Sequence, residues 1–427
     1  MGSLKGKKLL ILAGADVHVK VVQAAKELGV YTIVTDYLSR EDSPAKQIAE
    51  EYWDLSITDV DEIADKCREE KVDGVLAFCI DPAQMPYEQI CEKLGLPCYG
   101  TKEQFEILTD KRLFKDYCVA NGVGIIPEYT EKDIATNNDV KYPVLVKPTI
   151  SRGSRGQTIC YSKEDVKDAI KIARKESKDG GVLIERFMKG VQDMAFAYMV
   201  VGGEPYLVKI GDRYLGAPED NLDRQQMATV VPSMHTKEYL AKSDVRVKNM
   251  IKKMGITFGA VFFQGFYENG QEYMYDPGLR FPGSDYDLVL KNATGFDPMK
   301  AFVQFALTGD RNSCVGDIKT AYRYGGGHCF ILSLSARAGK IAVLDGVEDV
   351  AQHPYVFSAY ARHKVGDIIE NHGDVTQRVA EFCSYIPKDG SIEEFADYIY
   401  RTVQVKDDHG KDMIISKVTI KDLDYNN

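Results

Sequence analysis

The segment Tyr142, Pro143, Val144, Leu145, Val146, Lys147, Pro148 is an apolar, strand-like run that delivers a lysine at its end. A lysine in a buried-looking strand needs an anionic partner. Directly after it come Ser151, Arg152, Gly153, Ser154, Arg155 and Gly156. Glycines let backbone N–H groups close round an anion, Ser154 can donate a hydroxyl, and the arginines add charge. Such a loop alone reads as a solvated hairpin; its position behind Lys147 points to phosphate. The spacing is not that of a Walker A loop, and the chain has no Gly-Lys-Ser or Gly-Lys-Thr triplet. A second constellation joins Gln264, late in an alternating strand, to Asp276, Arg280, Gly283 and Ser284. Two neighbouring strands that present oxygens at matching depth can hold a hard cation such as Mg²⁺. Asp276-Pro277-Gly278 is equally a strong turn signal, which would make Asp276 a turn former and Arg280 a surface guanidinium. Glu185, in Leu183-Ile184-Glu185-Arg186-Phe187, reads either as a hinge where backbone amides meet an adenine or as a strand-end acid. Lys111 alone reads as a solvated helix lysine. The seven histidines show no metal-ligand spacing, and His328, after a triple glycine, reads as structural.

These residues need elements to position them. Over residues 1–100 short apolar runs alternate with helical periodicity: residues 9–13, a helix closed by Gly29, residues 31–35, a helix over 61–70, residues 75–78 and a helix over 87–94. That alternation predicts a parallel sheet wrapped by helices. Ala13-Gly14-Ala15 does not complete a dinucleotide fingerprint and reads as a tight strand-to-helix turn. Residues 101–310 form a second unit, an α+β body. Its helix carries Asp110, Lys111 and Phe114, and its closing strands are predicted over 259–267 and 272–276. Residues 311–427 form a third, with Gly325-Gly326-Gly327 ahead of an alternating strand and an amphipathic helix over 392–403.

The 427 residues are 44% apolar and 28% charged, a globular composition with enough chain for two or three cores. A net charge of −10 argues against nucleic acid or an anionic membrane as partner. No apolar stretch approaches the roughly 18 residues of a membrane span. Nine scattered cysteines without a Cys-x-x-Cys pair read as reduced thiols. No secretory signal is visible, so a cytoplasmic protein is expected.

Taken in order, the Tyr-Pro-Val-Leu-Val-Lys-Pro strand with its Ser/Gly loop, the Leu-Ile-Glu-Arg-Phe-Met-x-Gly segment and the paired strands ending in acid-x-x-x-Arg resemble the ATP-grasp superfamily. That group includes biotin carboxylase, the carbamoyl-phosphate synthetase large subunit and L-amino-acid ligases. The resemblance implies an α/β protein: a parallel-sheet pre-ATP-grasp domain, an ATP-grasp body and a C-terminal lid-like segment. By the resemblance, Lys111 and Lys147 contact ATP phosphates, and Ser151 to Gly156 close over the triphosphate. Glu185 and Phe187 flank the adenine, and Asp193, preferred to Gln192, takes the ribose. Gln264 and Asp276 hold Mg²⁺, and Arg280 holds the acyl-phosphate or its carboxylate precursor. The implied activity is an ATP-dependent ligase joining a small carboxylate, of amino-acid type, to an amine, and a homodimer is compatible with it. The chain departs from the family where Glu, Glu and Asn are usual: it has Gln264, Asp276 and Gly278. A cation is held less firmly by one carboxylate and one amide. The second reading is therefore a nucleotide-binding protein with weakened or altered turnover.

Overall fold

In the computed structural model, which describes residues 4–136, 139–149, 156–177, 179–223, 225–283 and 285–425, three sheets carry the architecture. The first is parallel, in the order Glu51–Trp53, Tyr31–Thr35, Lys8–Leu12, Gly74–Leu76. Leu9, Leu10, Ile11 and Leu12 are all fully buried, as expected of a strand covered on both faces. The helices Asp16–Glu27, Pro44–Ile48, Val60–Glu70 and Gln84–Leu94 follow the four strands in chain order. Sequence order reverses between Lys8–Leu12 and Gly74–Leu76, and such a reversal opens a crevice at the strands' carboxyl ends. At that crevice the Gly14 N–H donates to Asp36 Oδ2 at 2.8 Å. A Cβ on Gly14 would stand 1.8 Å from Ser43 Oγ, so the turn closes only around glycine.

The second sheet is antiparallel, in the order Glu128–Tyr129, Val182–Arg186, Val144–Pro148, Thr158–Cys160. With the helices Glu131–Thr136 and Lys163–Glu176 it encloses a core of its own, including Val144, Val146, Val166, Ile170 and Ile184. Ser162 and Asp165 start the longer helix with a reciprocal capping box.

The third sheet has nine strands. Its path runs Gln271–Leu279, Phe258–Glu268, Gln192–Val201, Glu204–Leu215, Gln226–Val231, His328–Ala336, Arg378–Ile386, Val356–Ala361, and Ile414–Ile415 pairs beside His328–Ala336. Every pairing is antiparallel. The helices Tyr286–Thr294 and Pro298–Thr308 link this sheet to the N-terminal one. The second packs on the helix Asp16–Glu27 and on Gly74–Leu76.

One sequence expectation fails here. Asp276-Pro277-Gly278 is not a turn but the interior of the strand Gln271–Leu279, opposite Gln264, Phe263 and Phe262. Proline is tolerated because this strand lies at the sheet edge, where a missing N–H costs no ladder bond.

Candidate active site

Asp110 caps the helix Lys111–Ala120, accepting from the N–H groups of Arg112 at 2.8 Å and Leu113 at 3.0 Å. Phe114, Lys115 and Cys118 form the buried face of that helix. Lys115 pairs with Glu185 and Glu128. Lys147, from the neighbouring strand, reaches the other oxygen of Glu185 at 2.5 Å. Lys115, Lys147 and Glu185 are 1%, 5% and 0% exposed. Burial pushes the Lys147 ammonium below its usual range against the pull of Glu185, and Lys115 and Lys111 push the same way. Burial also opposes charge on Glu185, but Lys147 and Lys115 outweigh it and hold the carboxyl below the ordinary range. Glu185 is thus ionised and shared between two lysines, with Lys111 close enough to be felt. This leaves cationic charge for a polyanion.

Ser151, Arg152, Gly153, Ser154 and Arg155 lie outside the described residues. Gly156, where the description resumes, has φ +72°, and a Cβ there would meet Glu176 Cβ at 2.8 Å and Pro148 Cγ at 2.9 Å. At the Glu185 hinge, the Arg186 N–H donates to Pro127 O at 2.9 Å and the Phe187 N–H to Pro143 O at 3.0 Å.

The large sheet supplies the rest. Gln264 stands directly opposite Asp276 on one side and Ala195 on the other, and Ala195 stands opposite Gly211. One row along, Asp193 faces Arg213 and Arg213 faces Thr229. Residues directly opposite in antiparallel strands share a face, as do residues two apart. Asp276, Gln264, Asp193, Arg213 and Thr229 therefore lie on one surface. Arg280, four residues beyond Asp276, lays its guanidinium over the Phe262 ring at 5.2 Å and binds Asp81 of the N-terminal loop, with Nη2 3.2 Å from Oδ2. Arg280 is accordingly a clamp between the first and third sheets.

Arg213 Nη1 reaches Asp193 Oδ1 at 2.7 Å, the Tyr275 hydroxyl at 2.8 Å and Gln264 Oε1 at 3.2 Å. Tyr275 donates in turn to Asp193 Oδ2 at 3.0 Å. Burial raises Asp193 against the opposing pull of Arg213. Asp193 is thus engaged by protein groups on both oxygens. Asp276 differs: among the described residues nothing donates to its carboxylate. Burial pushes it above the carboxylate range, while Lys111 pulls it back. A half-buried carboxylate without a donor, beside an amide oxygen, fits a hard cation whose other ligands are water and phosphate. Asp285 and Asp287 do not supplement this pair. Lys20 binds both, at 3.2 Å to Asp285 Oδ1, and Ser358 donates to Asp285 Oδ2 at 2.8 Å. Among the described residues, no three His, Cys, Asp or Glu side chains converge as a metal cage.

Lys115, Arg213, Tyr275 and Lys20 were not singled out by sequence. Nor was Lys209, which lies two residues before Gly211 and places its ammonium 4.3 Å from the Tyr286 ring centre. Burial lowers its pKa from 10.5 to about 8. Between those values the unfolded chain binds more protons than the folded one, so this group makes stability rise with pH from about 8 to 10.5. Lys209→Met is expected to stabilise the fold at pH 7 by up to about 3 kcal/mol and to flatten that rise. Denaturant unfolding at pH 7, 8.5 and 10 measures both, and parallel pH profiles for parent and variant would refute the assignment.

The comparisons with known proteins fit this geometry. A family model described as "Carbamoyl-phosphate synthase L chain, ATP binding domain" matches residues 110–250, the stretch that carries Lys111, Lys147, Glu185 and Asp193. Biotin carboxylase 1 of Bacillus subtilis (strain 168) is 22% identical over 323 residues, 70% of each chain. The L-amino acid ligase from Bacillus licheniformis superposes with a TM-score of 0.73 at 18% identity, over 94% of this chain and 99% of that one. Residues 110–250 therefore carry an ATP-grasp domain. A further ATP-grasp neighbour is the biotin carboxylase domain dimer of the Hydrogenobacter thermophilus 2-oxoglutarate carboxylase, solved with MgADP, ADP and bicarbonate. It superposes at a TM-score of 0.71 and 18% identity over 94% of this chain and 90% of that one. Among the described residues no helix is long and apolar enough to cross a membrane.

Proposed function

We propose that this ATP-grasp protein is an ATP-dependent ligase that activates a small carboxylate and joins it to an amine. The observation that carries the reading is the placement of Asp276. Among the described residues it has no protein donor; it stands opposite Gln264, shares its side of the sheet with Arg280 and lies within the field of Lys111. That is a cation ligand set with a guanidinium beside it, next to buried lysines suited to phosphates.

In this reading Lys147 and Lys111 hold the ATP phosphates, and Glu185 keeps Lys147 aimed. Asp276 and Gln264 hold Mg²⁺, which supplies charge neutralisation on the phosphates. Arg280 orients the acid. An oxygen of the acid's carboxylate attacks the γ-phosphorus, the bond to the β,γ-bridging oxygen breaks, and ADP leaves. The amine then adds to the acyl carbon, the acyl C–O bond breaks, phosphate departs and the amine loses a proton. The chain contributes positioning and fixed charge rather than a covalent nucleophile.

A panel of amino and hydroxy acids, singly and in pairs, assayed for ADP and phosphate release, tests this. Acid-dependent ADP release is expected; ATP binding without it would favour the nucleotide-binding reading. Asp276→Asn should raise the Mg²⁺ needed for half-maximal turnover by about tenfold or more, because it removes the set's only full charge. Burial raises the pKa of Asp276, and a cation must displace its proton, so Mg²⁺-nucleotide affinity should weaken as pH falls toward that range. Equal Mg²⁺ requirements in parent and variant would remove Asp276 from the site.

A further inference from the structure

The ligase reading uses one end of the large sheet's polar face, and the face continues across further strands with charge that reading leaves unused. Arg378 Nη1 and Arg362 Nη2 both lean on Glu381, at 3.3 Å and 3.4 Å. Charge-assisted hydrogen bonds normally keep about 2.7–2.9 Å, so both guanidiniums are loosely held. Arg378 Nη2 also donates to the Gln226 carbonyl at 3.0 Å, and the side chain of Gln226 accepts from Arg213 Nε at 3.3 Å. Three guanidiniums thus come together while Asp193 engages only Arg213.

Among the described residues, two polar atoms at this place are buried without a hydrogen-bond partner, Arg378 Nε and Thr229 Oγ1. Thr229 stands directly between Arg213 and Ile331. Ser333, two residues along from Ile331, donates to Glu381 at 3.1 Å, which fixes all these groups on one face. Buried N–H and O–H groups are nearly always satisfied in native proteins. Unpartnered donors beside a surplus of guanidinium charge suit the oxygens of an anion, and the planar fork suits a carboxylate. Burial lowers the proton affinity of Arg378 despite Glu381, with Arg362 and Arg213 adding to the effect, as expected where cations outnumber anions. Thr229's strand lies three strand spacings from Gln264's, roughly 14 Å. That leaves room for a phosphate, an acyl group and an amine between them.

We propose that Arg378, with Arg362 at the rim and Thr229 beneath, is a second carboxylate subsite that holds a carboxylate not phosphorylated in the reaction. The inference rests on the ligase reading for its orientation. The carboxylate belongs either to the amine substrate or to a second acid group on the activated acid. Calorimetric titration of the full chain, with and without ADP and Mg²⁺, separates the two sources. One arm compares the L-amino acids with their α-amides, the other linear dicarboxylates with their monoamides. The expected result is a carboxylate-over-amide preference of about ten- to a hundredfold in one series, erased in Arg378→Gln and reduced in Arg378→Lys, which keeps charge but loses the fork. Arg362→Gln, at a position whose side chain is 42% exposed, should weaken the preference without loss of thermal stability. Absence of any preference in the parent, or its persistence in Arg378→Gln and Arg362→Gln alike, overturns the subsite. ADP binding measured on the same samples reports on the ligase reading separately. If nucleotide binding fails while the Arg378-dependent preference is present, that reading falls and the subsite stands.

Discussion

Lys147→Met is expected to cut acid-dependent ADP release about a hundred- to a thousandfold, the usual cost of deleting one preorganised charge from a reacting site. Folding stability should stay within about 1 kcal/mol of the parent. The separation follows from how Glu185 is held. Its carboxylate bridges Lys115 and Lys147, so removing Lys147 leaves a buried anion that still has a buried cation. Lys147 is also the member whose charge burial already disfavours, so methionine relieves a desolvation cost as it removes a contact. Lys115→Met provides the contrast. It takes one cation from Glu185 and one from Glu128 at once, leaving Lys147 on the first and Arg112 on the second, and should destabilise by about 1.5–3 kcal/mol. Denaturant midpoints and single-turnover ADP release, measured on both variants, check the pair. Normal turnover in Lys147→Met would show that this lysine serves the fold alone.

What the sequence made legible follows from how local each signal is. Lys147 was visible because an apolar run ending in lysine is anomalous within seven residues. Its partner Lys115 was not, because a lysine on an amphipathic helix is ordinary until the helix's inner face is known. The same anomaly stood unremarked at Lys209, inside Leu207-Val208-Lys209-Ile210, where the apolar run extends on both sides of the charge. Gln264 and Asp276 could be paired by strand depth, yet Asp-Pro-Gly read as a turn. Only the strand's place at the sheet edge, a long-range fact, lets proline continue it. The Arg213 network was out of reach for the same reason: Asp193, Arg213, Gln264 and Tyr275 come from four strands, and nothing in one segment announces the other three. The parallel N-terminal sheet, by contrast, was read from alternation over three of its four strands, while the three-residue strand Glu51–Trp53 is too short to carry a period.

That network is where a single substitution should cost the fold most. Arg213→Met is expected to destabilise the protein by about 3–5 kcal/mol, since Asp193 would remain buried with only the Tyr275 hydroxyl for its charge. Gln264 would lose its donor too, and with it the bond that holds its carbonyl in place on the face it shares with Asp276. Burial already raises Asp193 against the opposing pull of Arg213. Without the arginine the carboxyl should take up a proton at a higher pH, and the variant's stability should fall more steeply than the parent's as pH rises through that range. Adding Asp193→Asn removes the stranded charge, so the double variant should recover much of the loss and should lose the extra pH dependence. Recovery of stability without recovery of Mg²⁺-dependent turnover would separate the two duties of Arg213, neutralising Asp193 and aiming Gln264. If the single and double variants unfold at the same denaturant concentration, Asp193 carries no buried charge once Arg213 is gone, and the loss in the single variant is that of the arginine's own hydrogen bonds, about 1.5–3 kcal/mol each.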